Sequence, residues 1–130
     1  MRSLSLFFLL LLAINECHSA GCSYTEEMMS QNSKKYEHFL KTNIKQINNG
    51  FSINISAPSL LNDSELQQAY IVKFDDSNKK EIFVFPISMY EENMYLSGWF
   101  NIDASLFDNI FLYVDYGKGC GFSVRKMIEK

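Results

Sequence analysis

The feature that most constrains the fold of this chain is a change in the spacing of its apolar residues at Phe51. From there Phe51, Ile53 and Ile55 alternate with polar residues, and this period of two predicts a half-buried β-strand. Five more segments of strand character follow without a helical period between them, which argues against a parallel βαβ fold. These further predicted strands are Ala69–Asp75, Glu81–Met89, Tyr95–Ile102, Ile110–Tyr116 and Gly121–Met127.

Short strands that are joined by turn sequences favour a mainly β fold. We predict an antiparallel β-sandwich-like domain of about six strands with one N-terminal helix. The alternative is an α+β roll, in which the helix packs on a curved antiparallel sheet. Pro86 lies inside the third predicted strand and indicates an edge position or a bulge, because proline has no backbone N–H to donate.

The segment before these strands predicts a helix over about residues 24–48. Asn49-Gly50 would end it, since glycine accepts the left-handed conformation that often follows a helix. The alternative takes Asn49-Gly50 as a β-hairpin turn between strands 43–47 and 51–55. The longer helical period favours the helix. It rests on Met29, Tyr36, Leu40, Ile44 and Ile47.

The first 20 residues have the organisation of a secretory signal peptide. Arg2 supplies a positive charge, residues 4–14 are apolar, and Ser19 and Ala20 are the small residues that a signal peptidase requires. The apolar segment is shorter than the ~20 residues of a membrane-spanning helix. We therefore expect a secreted, extracellular protein whose mature chain, residues 21–130, is one domain. The charged carboxyl-terminal sequence predicts no membrane anchor.

Removal of the signal peptide leaves two cysteines, Cys22 and Cys120. In an exported protein two cysteines can form one intramolecular disulfide, and we predict the bridge Cys22–Cys120. Export also makes the Asn-x-Ser sequences at Asn54 and Asn62 candidate N-glycosylation sites. Asn54 falls on the polar face of its predicted strand, and Asn62 falls in a loop.

Composition and motif content exclude several classes of function. The chain has 12 basic and 15 acidic residues, so it lacks the positive charge excess that nucleic-acid binding requires. Two histidines and three cysteines are too few for the common zinc sites. The chain has no Gly-x-Ser-x-Gly motif, and His38 is the one histidine of the predicted mature chain. We predict no enzymatic activity, no cofactor and no metal ion.

Aromatic residues are the feature that points to a function. They make up 15% of the chain, and two predicted strands each carry one apolar face and one mixed aromatic and polar face. If the apolar faces form the core, the mixed faces form one exposed aromatic patch, which suits a protein or sugar partner. If a helix or a second sheet covers these faces, the aromatic residues are buried instead. The candidate binding residues are Tyr95, Trp99, Asn101, Phe111 and Tyr113.

The sequence therefore predicts a secreted binding module that recognises an extracellular protein or glycan through an aromatic-polar sheet face. A first alternative is a small inhibitor of an extracellular enzyme, acting through a protruding loop at residues 57–65 or 117–121. A second is a small hydrolase built on the carboxylates of Asp103, Asp108 and Asp115.

The disulfide prediction can be checked on the exported protein. Alkylation before and after reduction, read by mass spectrometry, should find Cys22 and Cys120 blocked until the reductant is added. Reduction should lower the free energy of unfolding by roughly 4–5 kcal/mol, the chain-entropy value for a loop of about 100 residues. Free thiols at both positions in the secreted protein would contradict the bridge.

Overall fold

Two antiparallel β-sheets and one α-helix make up the protein in a computed structural model, which describes residues 24–130. This arrangement confirms the predicted mainly β fold with one N-terminal helix. Across the described residues there are nine strands rather than about six. In chain order the elements are α1 (Glu26–Tyr36), β1 (Lys41–Ile47), β2 (Gly50–Pro58), β3 (Leu60–Leu61), β4 (Ser64–Phe74), β5 (Glu81–Ile87), β6 (Tyr90–Glu92), β7 (Tyr95–Asp103), β8 (Ile110–Tyr116) and β9 (Phe122–Met127).

The predicted signal peptide, residues 1–20, and Cys22 lie outside the described residues. The Cys22–Cys120 bridge therefore stays a prediction. Cys120 lies in the turn between β8 and β9, and Tyr24 lines the same shallow cleft as this turn. Within residues 24–130 no helix is both long enough and apolar enough to cross a membrane.

The predicted helix over residues 24–48 is wrong in its second half. Helix α1 ends at Tyr36, a short 3-10 turn follows over Glu37–Phe39, and β1 begins at Lys41. Strand β1 pairs with β2 through the two-residue turn Asn48-Asn49, so the hairpin alternative is the correct one. The spacing of four between Leu40 and Ile44 misleads because it fits a period of two as well as a helix.

Gly50 is required for a different reason from the one that the sequence suggested. It is the first residue of β2 and lies opposite Asp103 of β7. A Cβ atom at this position would lie 2.0 Å from the Ile102 carbonyl oxygen. The close approach of the β7 backbone therefore demands glycine here, and no helix end is involved.

The first sheet, called sheet A, has the strand order β1-β2-β7-β6. Its inner face is apolar. The odd-numbered residues of β2 are apolar from Phe51 to Ala57, and the register places them opposite the even-numbered residues of β7, which are also apolar. Phe51, Ile53, Ile55, Phe100 and Ile102 are all buried on that face.

The second sheet, called sheet B, has the central strands β4 and β8, with β9 on the far side of β8. Strands β3 and β5 both pair with β4, and β8 occupies its other edge. The position of β5 confirms the edge predicted from Pro86, because β5 pairs with β4 alone among the described strands. The buried inner face of sheet B carries Ala69, Ile71, Leu112, Val114 and Val124.

Tyr116 connects the two sheets across the core. It is fully buried at the end of β8, and its hydroxyl donates a 3.0 Å hydrogen bond to the Pro58 carbonyl oxygen of β2. Its ring stacks on Phe122 at 5.4 Å between centroids, and Phe122 lies 5.5 Å from Tyr36 of α1. This row of rings joins sheet B to the helix, while the hydrogen bond joins it to sheet A.

Helix α1 covers the outer edge of β9. The Ser123 N–H donates to the Tyr24 hydroxyl, which in turn donates to the Ser123 carbonyl oxygen at 2.9 Å. Two residues further along β9, the Arg125 N–H donates to the Ser33 hydroxyl of α1 at 2.9 Å. These side chains satisfy the backbone groups of an edge strand, which would otherwise be open to pairing with another chain.

Removing the Tyr116 hydroxyl tests the connection between the sheets. Tyr116→Phe keeps the ring but leaves the buried Pro58 carbonyl without its donor, which should lower the free energy of unfolding by about 1–3 kcal/mol. Urea unfolding measures this difference. Tyr90→Phe, at an exposed position, is the matched control and should change stability by less than about 0.5 kcal/mol. Equal losses in the two variants would contradict the assigned role of Tyr116.

Candidate functional site

The structure divides the five predicted binding residues between the two sheets. Tyr95, Trp99 and Asn101 lie on the outer face of sheet A, whereas Phe111 and Tyr113 lie on the outer face of sheet B. Strands β7 and β8 follow each other in the chain, but the 3-10 turn Ala104–Leu106 carries the chain from one sheet to the other. The expectation of one continuous aromatic patch is therefore wrong, because alternation assigns a residue to a face and not to a sheet. The alternative of burial is correct for Tyr113, which is 7% exposed, but not for Trp99, which is exposed.

Phe111 and Tyr113 form part of a groove on the outer face of sheet B. Tyr113 lies opposite Tyr70 in the β4–β8 register, and their rings stack at 5.4 Å with an angle of 21°. Phe111 meets Phe74 edge to face, with centroids 5.5 Å apart, and Val72 lies opposite Phe111. Such cross-strand aromatic pairs stabilise a sheet and present their rings to one side of it.

The aromatic side chains of β4 and β8 form the floor of the groove, and two elements form its walls. Glu26 and Met29 of α1 stand on the side of β9, while Asn78 and Lys79 of the β4–β5 turn, together with Glu81, form the other wall. The enclosed volume is about 610 Å³, within the range of about 300–1,000 Å³ that ligand pockets occupy. We call this site the aromatic groove. It is lined by Glu26, Met29, Tyr70, Val72, Phe74, Asn78, Lys79, Glu81, Phe111, Tyr113 and Arg125.

The turn that forms the second wall is held by one carboxylate. Asp75 Oδ1 accepts hydrogen bonds from the Ser77 hydroxyl at 2.9 Å and from the backbone N–H groups of Lys79 and Lys80. These bonds lower the pKa of Asp75, the Ser77 hydroxyl being the largest cause. Asn78 adopts a left-handed conformation with φ of 54°, which asparagine tolerates in turns. The sequence Asp75-Asp76-Ser77-Asn78 thus forms an ordered turn at the end of the groove.

The two tyrosines of the groove are held in their neutral form. Burial is the main cause that raises the pKa of Tyr70 to about 12, and the nearby carboxylate of Asp115 adds to it. Burial also raises the pKa of Tyr113, against the opposing effect of Arg125. At neutral pH both hydroxyls therefore carry a proton and can donate hydrogen bonds. Arg125 also forms an ion pair with Glu26 of α1, which ties the helix wall to the sheet.

Three residues of the groove floor were not among the predicted site residues: Tyr70, Val72 and Phe74. Their alternation in the sequence places them on one face of a strand. The sequence does not show that β4 pairs with β8, which is what brings these residues beside Phe111 and Tyr113. Each of the two strands carries two aromatic residues on one face, Tyr70 and Phe74 in β4 and Phe111 and Tyr113 in β8, and this shared feature is the signal that could have suggested the pairing.

The outer face of sheet A presents Trp99 in a polar environment. The Trp99 side chain is 60% exposed, and Asn101 beside it is exposed as well. Tyr95 is half-buried, with the Lys41 ammonium 5.0 Å from the centre of its ring. This face is therefore separate from the aromatic groove and carries different chemistry.

The carboxylates considered for a hydrolase do not come together. Asp108 and Asp115 lie at opposite ends of β8, and at the strand rise they are about 20 Å apart. Asp103 caps the 3-10 turn by accepting from the Ser105 hydroxyl at 2.6 Å and from its N–H at 2.9 Å, and these bonds lower the pKa of Asp103. Within the described residues no group of three His, Cys, Asp or Glu side chains could hold a metal ion.

Comparison with known proteins identifies no relative from which a function could be transferred. No protein-family model matches the chain. No curated protein matches it in sequence. The function is therefore argued from the surfaces described above.

An alkaline titration tests the environment of the groove tyrosines. The chain has seven tyrosines, and phenolate absorbance should show a component near pH 12 whose amplitude falls by one tyrosine in Tyr70→Phe. Tyr113 and Tyr116, whose pKa values burial also raises, keep the rest of the high-pH absorbance change. Because the pKa of Tyr70 is higher in the folded chain than at its ordinary value of 10.0, the associated stability is present below pH 10 and is lost as the pH rises toward 12. Tyr90→Phe is the control and should leave the high-pH component in place. An unchanged amplitude of that component in Tyr70→Phe would contradict the assignment.

Proposed function

We propose that this protein is a secreted binding module that recognises an extracellular protein partner through the aromatic groove. The observation that carries the proposal is the concave arrangement of Tyr70, Phe74, Phe111 and Tyr113 between a helix and an ordered turn. Rigid aromatic side chains with polar tips supply much of the binding energy of protein interfaces, because they bury a large area at a small entropic cost.

The charges around the groove favour a protein segment over a highly charged polymer. Arg125 and Glu26 lie on the helix side, while Lys79 and Glu81 lie on the turn side, so both signs surround the aromatic floor. An apolar centre with a polar rim is the usual organisation of a protein–protein interface. The neutral hydroxyl of Tyr113, which accepts from Arg125, adds a donor that can bind a backbone carbonyl of an extended segment.

Variants at the rim of the groove test this proposal with little effect on the core. Met29→Glu and Lys79→Glu place negative charge on the two opposite walls. Each should weaken binding of the labelled mature protein to the surface of cells from its source about ten-fold or more, which corresponds to ~1.4 kcal/mol. Thermal unfolding of each variant should remain close to that of the wild type, because both residues lie outside the buried core.

Trp99→Ala is the matched comparison, because it removes the most exposed ring of the opposite sheet. It should leave this binding unchanged. If Trp99→Ala abolishes binding while both groove variants retain it, the partner, protein or glycan, contacts sheet A and the proposal is wrong. Competition with a soluble glycan mixture would then separate the two kinds of partner.

One observation favours the inhibitor as a second candidate. The two segments considered for a protruding loop lie together at one end of the sandwich, because the Gly117 N–H donates to the Glu65 carbonyl oxygen at 2.8 Å. At that end the Ser59 N–H bonds the Met94 carbonyl, and the side chains of Leu60 and Met94 are 56% and 79% exposed. Loss of partner binding in Leu60→Ser and Met94→Ser, with binding retained in the groove variants, would favour the inhibitor.

A further inference from the structure

Asn54 and Trp99 lie directly opposite each other on the outer face of sheet A. The β2–β7 register pairs these two residues, and both side chains are exposed. Directly opposite residues on one face have Cβ atoms about 4.5–5.5 Å apart. A group attached to the Asn54 amide therefore begins within reach of the Trp99 ring.

The surroundings of Trp99 do not resemble a protein-binding hot spot. Its neighbours along β7 are Ser97 and Asn101, and its diagonal neighbours on β2 are Ser52 and Ser56. Tyr90 of β6, which pairs with Ser97, is the aromatic neighbour on the other diagonal. The Trp99 ring therefore offers an apolar plate whose edges on the side of β2 carry hydroxyl and amide groups. This combination matches a pyranose, which has an apolar C–H face and a rim of hydroxyls.

A shallow depression adjoins Asn54 and extends across sheet A from β1 to β6, past Ser97, the neighbour of Trp99 on β7. It encloses about 470 Å³, and Asn43, Ser56, Ser97 and Tyr90 line it together with Asn54. The polar side chains around it can bind the hydroxyl and acetamido groups of sugars that extend beyond the first residue. Asn54 is also the acceptor position of an Asn-x-Ser sequence, with Ser56 on the same face.

We propose that Asn54 carries an N-linked glycan whose first sugar packs on the ring of Trp99. In the attachment step the Asn54 amide nitrogen forms a bond to the anomeric carbon of a lipid-diphosphate-linked oligosaccharide supplied by the export pathway. The bond between that carbon and the diphosphate oxygen breaks, the lipid diphosphate leaves with the bonding electrons, and the amide loses one proton. Trp99 then contacts the protein's own glycan, and the glycan covers the outer face of sheet A and blocks other partners there.

The inference rests on the export that the proposed function includes, and it does not depend on the aromatic groove. Asn62 provides a comparison, since it belongs to the second Asn-x-Ser sequence but lies in the tight turn between β3 and β4, with φ of 48°. No residue of β7 pairs with it among the described strands. A glycan at Asn62 should therefore leave Trp99 accessible.

The experiment uses the full chain secreted from eukaryotic cells that attach N-glycans. Peptide mass spectrometry gives the occupancy of Asn54, and acrylamide quenching reports on Trp99, which is the one tryptophan of the chain. In the wild type the quenching constant should be about half of that in Ser56→Ala, because a sugar covers one face of the ring. Asn54→Gln should match Ser56→Ala, and Asn62→Gln should match the wild type.

Comparing the glycosylated and unglycosylated forms of the wild type and of Trp99→Ala distinguishes packing of the sugar on the ring from attachment of the glycan alone. Trp99→Ala should keep Asn54 occupied, but the rise in unfolding temperature that the glycan confers on the wild type should disappear. An unoccupied Asn54 in secreted protein overturns the inference, and so does an occupied Asn54 with unchanged quenching. Retention of the chain inside the cells would overturn export itself, whereas the groove variants test the proposed function separately.

Discussion

The packing of the inner faces of the two sheets is the contact on which the rest of the structure depends. The strands of sheet A alternate apolar and polar residues, whereas sheet B has an apolar inner face and an aromatic outer face, and both inner faces are stable only when covered. Tyr116 adds a hydrogen bond to this contact. Its ring is buried on sheet B, and its hydroxyl donates to the Pro58 carbonyl oxygen of sheet A. Once the inner faces are paired, the outer faces become the surfaces that the protein presents.

Helix α1 has two roles that follow from its position beside β9. Ser33 of the helix and Tyr24 just before it satisfy backbone groups of the edge strand, and Tyr36 packs against Phe122 at the border of the core. Because the helix lies beside β9, its residues Glu26 and Met29 also project beyond the outer face of sheet B and line the groove. The helix that covers this edge strand therefore also forms one wall of the aromatic groove, and the ion pair between Arg125 and Glu26 lies along that wall.

The two outer faces differ in a way that separates their functions. The face of sheet B is aromatic, concave and bordered by charges of both signs, which suits a protein segment. The face of sheet A is polar and bears one exposed ring opposite a candidate glycosylation site. A glycan on sheet A would direct protein partners to the other side of the domain, so the two proposals are compatible with each other.

The sequence by itself determined which residues face inward within a strand, because alternation depends only on local geometry. It therefore predicted the β-rich class and an edge or a bulge at Pro86, and it placed Trp99, Phe111 and Tyr113 on the faces opposite the apolar ones without deciding whether those faces are covered. It did not distinguish a helix from a strand at Leu40 and Ile44, whose spacing satisfies both periods. Strand pairing was decided by tertiary structure alone. The chain changes sheets between β7 and β8, and β4 comes to lie beside β8, because long-range burial selects these partners and no local signal encodes them.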